Sequence, residues 1–187
     1  MFPKEEKLLK SIGIFRYEHS LRVLETSINI NRNYNIKKTK LETAALYHDC
    51  GKIGSNEEIL KEINNNNIKL SEEDIKSPEI LHSILGRYLA EFKYKIKDLE
   101  ILNAVRYHTT GKENMNLLEK IIFISDYIEP GRKFSGVEQV RKLAEKNIEE
   151  AIILAMKNTI DYLNQNNQHV HLDTIKGLEY LLKTKEW

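Results

Sequence analysis

A chain of 187 residues with 41% hydrophobic and 30% charged side chains has ordinary globular makeup, which excludes disorder and points to one domain over 1–187. A formal net charge of +1 excludes adhesion to a nucleic-acid polymer through bulk charge. The lone cysteine, Cys50, excludes an intramolecular disulfide and fits a reducing cytoplasm, and neither a secretory leader nor an apolar run of the roughly 18 residues a membrane span needs is visible.

Eight glycines and three prolines leave few places for hairpins, and apolar residues recur at helical spacing, so the expected fold class is all-α. In chain order the spacing predicts helices near 3–12, 15–33, 38–50, 55–64, 77–93, 98–109, 116–128, 136–146, 147–165 and 173–184. Gly13, Gly51 and Gly111 fall where helices should stop. Ser55 and Glu58 have capping-box spacing, Ser77-Pro78 marks a first turn, and Asp98 and Asp173 are candidate caps. Asn64–Asn67 reads as a loop. Ile148, Ala151, Ile152, Ala155, Met156, Thr159, Ile160 and Leu163 form an unbroken i, i+3, i+4 stripe. Leu178–Trp187 reads as an amphipathic end with Trp187 partly exposed.

Several polar residues fall on inward faces. In the helix near 15–33, Tyr17, Leu21, Leu24 and Ile28 form one apolar stripe, with His19, Val23 and Ile30 nearly opposite. Such a helix is expected to be sandwiched, with His19 pointing inward. His48 extends the stripe of Leu41, Ala44 and Ala45, and His108 closes that of Ile101, Ala104 and Val105. Asp126 follows Ile122 and Phe123, and His82 has Gly86 one turn on. Asp49, at the negative end of a helix, needs a cation, either a metal or Lys52. Any one of these could be a hydrogen-bonded core residue. Four imidazoles and two carboxylates in one small core are hard to satisfy except by a shared metal. Cys50 reads as a small buried thiol, His169 as exposed, and His171 as able to stack on a base.

The order His19, His48-Asp49, Asp126 resembles the H…HD…D signature of the HD-domain superfamily of metal-dependent phosphohydrolases, which are helical bundles. Arg16-Tyr-Glu-His-Ser-Leu-Arg-Val23, His82, Tyr107-His-Thr-Thr-Gly111 and Ser125-Asp-Tyr-Ile-Glu-Pro-Gly-Arg132 resemble the YqeK-type members, from about residue 10 to about residue 180. Those proteins hydrolyse diadenosine tetraphosphate symmetrically to two ADP at an iron site. The resemblance implies His19, His48, Asp49 and Asp126 as metal ligands, with Lys52, His82, His108, Thr109 and Arg132 around the phosphates. Of these, Lys52, His82 and His108 would be catalytic, and the ligands His19, Asp49 and Asp126 would also meet substrate. It further implies a nucleotide-contacting turn at Val170, His171, Leu172, Asp173 and Thr174, where Leu172 replaces the family's usual proline. Cys50-Gly51 stands where the family more often has a larger residue followed by alanine.

Iron rests on the resemblance; nitrogen and oxygen donors equally suit manganese, cobalt, nickel or zinc. Lys52 and Arg132 would neutralise polyphosphate. His82 and His108 have two open roles: phosphate contact as general acids, the preferred one, or a second metal with Asp49 bridging. The substrate would be a dinucleoside polyphosphate and the product ADP, with no membrane partner and a homodimer left open. An HD nucleotidase acting on mononucleotides or a guanosine alarmone is the sibling alternative. A binding module without catalysis is the alternative from another class.

Overall fold

The computed structural model describes residues 3–185, and in it eleven α-helices and one 3-10 turn follow each other with no strand among the described residues. The elements are α1 (Pro3–Ile12), α2 (Ile14–Asn31), α3 (Lys38–Tyr47), α4 (Asn56–Asn65), α5 (Glu72–Lys76), the 3-10 turn Pro78–Ile80, α6 (Leu81–Phe92), α7 (Leu99–Tyr107), α8 (Leu117–Ile128), α9 (Val137–Ala144), α10 (Ile148–Gln165) and α11 (Leu172–Lys185). None of the described helices is long and apolar enough to cross a membrane.

Helix α8 is the axis of one core. Leu118, Ile121, Ile122 and Ile124 are buried against Ala151, Ile152, Ala155 and Met156 of α10, each large side chain contributing about 1.5–3 kcal/mol of apolar burial. A second core packs Leu8 of α1, Ile59 and Ile63 of α4 and Leu85 and Leu89 of α6. Helices α2, α3 and α7 contribute to both, through Val23 and Tyr17, Ala44 and Leu46, and Ala104 and Val105. These three helices carry His19, His48 and His108 at or near their ends.

The structure adjusts several expectations. Helix α3 stops at Tyr47 instead of residue 50, because Cys50 and Lys52 N–H groups bond to Tyr47 and Asp49 carbonyls three residues back, tightening the turn. Within a regular helix His48 and Asp49 would diverge by about 100°; the tight turn lets them converge. Gly51 is required there, since a Cβ would stand 2.1 Å from the His82 carbonyl and 2.5 Å from the Gly86 nitrogen. Pro78 opens a 3-10 turn, and α6 proper begins at Leu81. Helix α5 was not expected: a Ser71–Asp74 capping box starts it, and five residues are too few to set up a periodic stripe. Asp173 is not a cap. Its N–H donates to His171 Nδ1 at 3.1 Å, and the Thr174 N–H bonds the His171 carbonyl. Ser55 and Asp98 do cap α4 and α7. Helix α4 runs into the asparagine loop as far as Asn65. The sandwich reading of α2 holds except at Leu21: His19, Val23 and Ile30 are buried on one side, Tyr17 is buried and Leu24 and Ile28 pack against the cores on the other, whereas Leu21 is 41% exposed. Trp187 lies outside the described residues.

Candidate active site

The histidines are aimed by what their far nitrogens do. His48 Nδ1 donates to the Ala45 carbonyl at 2.7 Å, and His108 Nδ1 donates to the Val105 carbonyl at 2.8 Å. A carbonyl can only accept, so in both rings the hydrogen sits on Nδ1 and Nε2 is left as a lone pair. His82 likewise gives a hydrogen to the Glu79 backbone. His19 Nδ1 lies 3.3 Å from Glu129 Oε1, a carboxylate behind a ring whose Nε2 faces the site.

The Nε2 atoms then crowd together. His19 and His48 Nε2 are 3.3 Å apart, and the set formed by these two nitrogens, Asp49 Oδ2 and Asp126 Oδ1 spans 3.0 to 4.0 Å wherever a separation is defined. Donors about 2.0–2.2 Å from one ion lie roughly 3.0 Å apart at right angles and about 3.4 Å apart at tetrahedral angles; His19, His48 and Asp126 form one group close enough to hold an ion, and His48, Asp49 and His108 form a second. Asp49 Oδ1 turns the other way. It faces His82 Nε2 at 3.5 Å and His108 Nε2 at 3.3 Å, and those nitrogens are 3.1 Å apart. Thr109 Oγ1 sits 3.2 and 3.1 Å from the same two.

Asp49 is the centre of the arrangement. It is 1% exposed, and neither carboxylate oxygen has a hydrogen-bond donor. Two cations come near, Lys52 Nζ at 3.5 Å and Arg16 Nη1 at 3.7 Å from Oδ2. Burial pushes the Asp49 carboxyl up, but His48 and His108, in their protonated forms, and the Lys52 ammonium outweigh it and hold the group well below its ordinary range. Burial also lowers His48 to about 4 and holds His82 well below its usual value. Burial likewise opposes ionisation of Asp126, yet His19 and His48, in their protonated forms, and the Arg132 guanidinium outweigh it and hold the carboxyl well below its ordinary range. Buried lone pairs facing buried carboxylates repel unless a positive charge lies between them, which is what a metal ion supplies.

Of the remaining expected residues, Arg132 reaches Asp126, with Nε on its carbonyl at 2.9 Å and Nη2 on Oδ1 at 2.5 Å. His171 and Thr174 line a cavity of about 170 Å³ with Thr109. Val170, Leu172 and Asp173 are not part of its lining. His171 is buried, with Nε2 3.5 Å from Asp74 Oδ1. His169 is exposed and pairs with Glu73, and the Cys50 thiol is buried against the Gly86 carbonyl at 3.2 Å.

Sequence reasoning missed Glu129 and the arginines around it. Glu129 is 2% exposed and accepts from Arg22 Nε and the Gly131 N–H, both at 2.7 Å, on the oxygen not facing His19. Arg141 on α9 donates to the carbonyls of Ile128, Glu129 and Arg132, tying down the segment that carries both Glu129 and Arg132. The only advance signals were the position of Arg22 one turn after His19 and the quoted run Ser125–Arg132.

A helical bundle in which H, HD and D side chains from two helices and a helix end meet around one buried carboxylate defines the class of HD-domain metal-dependent phosphohydrolases. The comparisons agree: the HD domain family model matches residues 16–131. The chain is 42% identical over 169 residues to the symmetrical bis(5'-nucleosyl)-tetraphosphatase of Halalkalibacterium halodurans, covering 89% of each chain. It is 39% identical over 167 residues to the Bacillus subtilis protein of the same name, again covering 89% of each. A crystal structure of a Clostridium acetobutylicum protein, described as a predicted HD superfamily hydrolase involved in NAD metabolism, superposes with a TM-score of 0.90 at 39% identity, covering 97% of this chain and 96% of that one. The chain belongs to the HD domain family and, within it, to the YqeK-type symmetrical bis(5'-nucleosyl)-tetraphosphatases.

Proposed function

We propose that this chain hydrolyses diadenosine tetraphosphate and related dinucleoside polyphosphates symmetrically, releasing two ADP, at a metal ion held by His19, His48, Asp49 and Asp126. The observation that carries this is Asp49, buried without a hydrogen-bond donor while imidazole Nε2 atoms face both of its oxygens. When bound, the ion supplies a water of lowered pKa and Lewis-acid polarisation of a phosphoryl oxygen. Iron is the metal the family resemblance favours, and the donor set of nitrogen and oxygen accommodates it.

The protein's own part is positioning and charge. Lys52, close to Asp49, offsets the charge gathering on the phosphates as the bridging oxygen departs, and Arg132 does the same from the Asp126 side. The Thr109 hydroxyl stands where it can donate to a phosphoryl oxygen. His171 and Thr174, with Val170, Leu172 and Asp173 around them, form the turn that contacts the nucleotide. Of the two roles open to His82 and His108, a second cation shared through Asp49 Oδ1 is the better supported. Their other nitrogens already give hydrogens to the Glu79 and Val105 backbone, so the neutral rings have none to offer a phosphate. The cytoplasm is the compartment that fits a nucleotide hydrolase with one buried, unpaired thiol.

The test joins elemental analysis of protein purified without a chelating tag to product chromatography on the same sample. ADP alone from the dinucleotide is the expected result; consumption of monophosphates or a guanosine alarmone instead would move the assignment to the sibling nucleotidases. His48→Ala should lose both metal and turnover while keeping its helical circular dichroism, and full activity would mean the site is misplaced. His82→Ala should reduce metal content from two ions per chain to one, whereas an unchanged count returns His82 to the phosphates.

A further inference from the structure

Two cavities adjoin the cluster of histidines and carboxylates. Thr109, His171 and Thr174 line the smaller one, and His82 lines a second, of about 360 Å³. Its wall includes Arg16, Lys52, Asn56 and His82 with Ile53 and Ile59, and Glu79 lines both cavities. The volume falls within the range of about 300–1,000 Å³ common for small-molecule sites.

The chemistry of this wall is specific. Arg16 and Lys52 are the cations nearest the central carboxylate, and among the described residues Asp49 is the only ion-pair partner of either. Two cations with spare hydrogen-bonding capacity, directed from a cavity wall toward a phosphoryl-transfer centre, suit a polyphosphate. Phe15, immediately before Arg16, is 84% exposed. Its i, i+4 spacing from His19 places it on the same side of α2, one turn outward from the metal. Phe15 is not itself part of the cavity wall, but an exposed aromatic ring one residue from Arg16 can act as a stacking platform for a base.

Symmetrical cleavage requires that a substrate of two equal halves straddle the reacting centre. From this we infer that the Arg16–Lys52 cavity receives the second nucleoside diphosphate half, with these two cations on its phosphates and Phe15 against its base. The cavity thereby selects dinucleotides over mononucleotides. The inference rests on the dinucleotide hydrolysis proposed above.

The experiment uses the full-length, metal-loaded enzyme and ADP as the probe. Calorimetric titration should find two ADP per wild-type chain. Asn56→Trp, which fills the cavity from an exposed position at the start of α4, should bind one. Both Asn56→Trp and Phe15→Ala should raise KM for diadenosine tetraphosphate about tenfold, with kcat within a factor of two or three. One ADP per wild-type chain, or unchanged KM in both variants, overturns the inference. Failure of the underlying function would look different: the wild-type enzyme would release no ADP from the dinucleotide at all.

Discussion

Replacing Glu129 by glutamine changes one atom and should disable the proposed metal ligand His19 from behind its ring, without the glutamine reaching the metal. The carboxylate uses Oε2 for two donors, Arg22 Nε and the Gly131 N–H, each at 2.7 Å, and Oε1 for His19 Nδ1 at 3.3 Å. A glutamine side chain must place its oxygen on one side and its NH2 on the other. Turning the NH2 toward an arginine and a backbone N–H would set donors against donors, so the oxygen goes there and the NH2 faces His19. His19 Nδ1 must then accept, its hydrogen moves to Nε2, and the lone pair facing Asp126 Oδ1 at 3.0 Å is lost. Partners of this kind change metal affinity by about 10–100-fold, or about 1.4–2.7 kcal/mol. The fold should lose only about 1 kcal/mol, the difference between a charged and a neutral hydrogen bond to Arg22. Competition between the loaded protein and a chelator of known affinity measures the first effect, and a denaturant melt of the metal-free form the second. Metal affinity within twofold of wild type would refute the tautomer argument. A loss of affinity matched by an equal loss of metal-free stability would refute it too.

Arg132→Ala should keep the metal and lower kcat/KM by about 10²–10³, the usual cost of removing a donor that stabilises transition-state charge; loss of the metal would instead make Arg132 a structural partner of Asp126. Gly51→Ala should destabilise the protein by about 1–3 kcal/mol in a denaturant melt and reduce turnover, because its Cβ must push the His82 backbone away; unaltered activity would show that this approach does not position His82. At Asp74, burial raises the carboxyl, but the Ser71 hydroxyl and N–H and the Arg106 charge outweigh it and hold the group below its ordinary 3.8. A lowered carboxyl stabilises the fold fully above the unfolded value and loses that contribution as pH falls through the folded one. Asp74→Asn should therefore flatten the decline of stability below about pH 4 while reducing stability at neutral pH, and a melt series with the wild-type slope would contradict this.

What could be read from the residues alone follows from where each one sits. His19 lies inside a helix, so its neighbours at i+4 and beyond define the face it shares. His48 and His108 each end a stripe, and the stripe aims them inward. Asp49 draws attention for a chemical reason, its charge at the wrong end of a dipole, although its direction depends on the turn at Cys50–Lys52. Glu129 lies one residue beyond α8 with an extended backbone, at φ −51° and ψ 152°, where no helical face exists to read. Arg141 acts on carbonyls of a segment 9 to 13 residues earlier, a contact that only the packing of α9 against α8 creates. The short α5 was missed for want of length, yet it delivers Asp74 to Arg106 and His171.

The placement of the clustered histidines also answers a backbone problem. The last turn of a helix leaves carbonyls without partners, and α3 and α7 each use the following histidine to satisfy one of them, Ala45 by His48 and Val105 by His108. That single bond fills an orphan acceptor, fixes the ring's tautomer and turns its free nitrogen inward. Two helix C-termini, each carrying partial negative charge, are thereby brought up to Asp49, which already lacks a donor of its own. Stability and function make opposite demands at this point, since nothing about packing favours so much unpaired negative potential in a core. The demands are reconciled only when a cation occupies the cluster, so the metal-loaded form should be both the active and the more stable one, by about 2.7 kcal/mol at a free metal concentration one hundred times Kd.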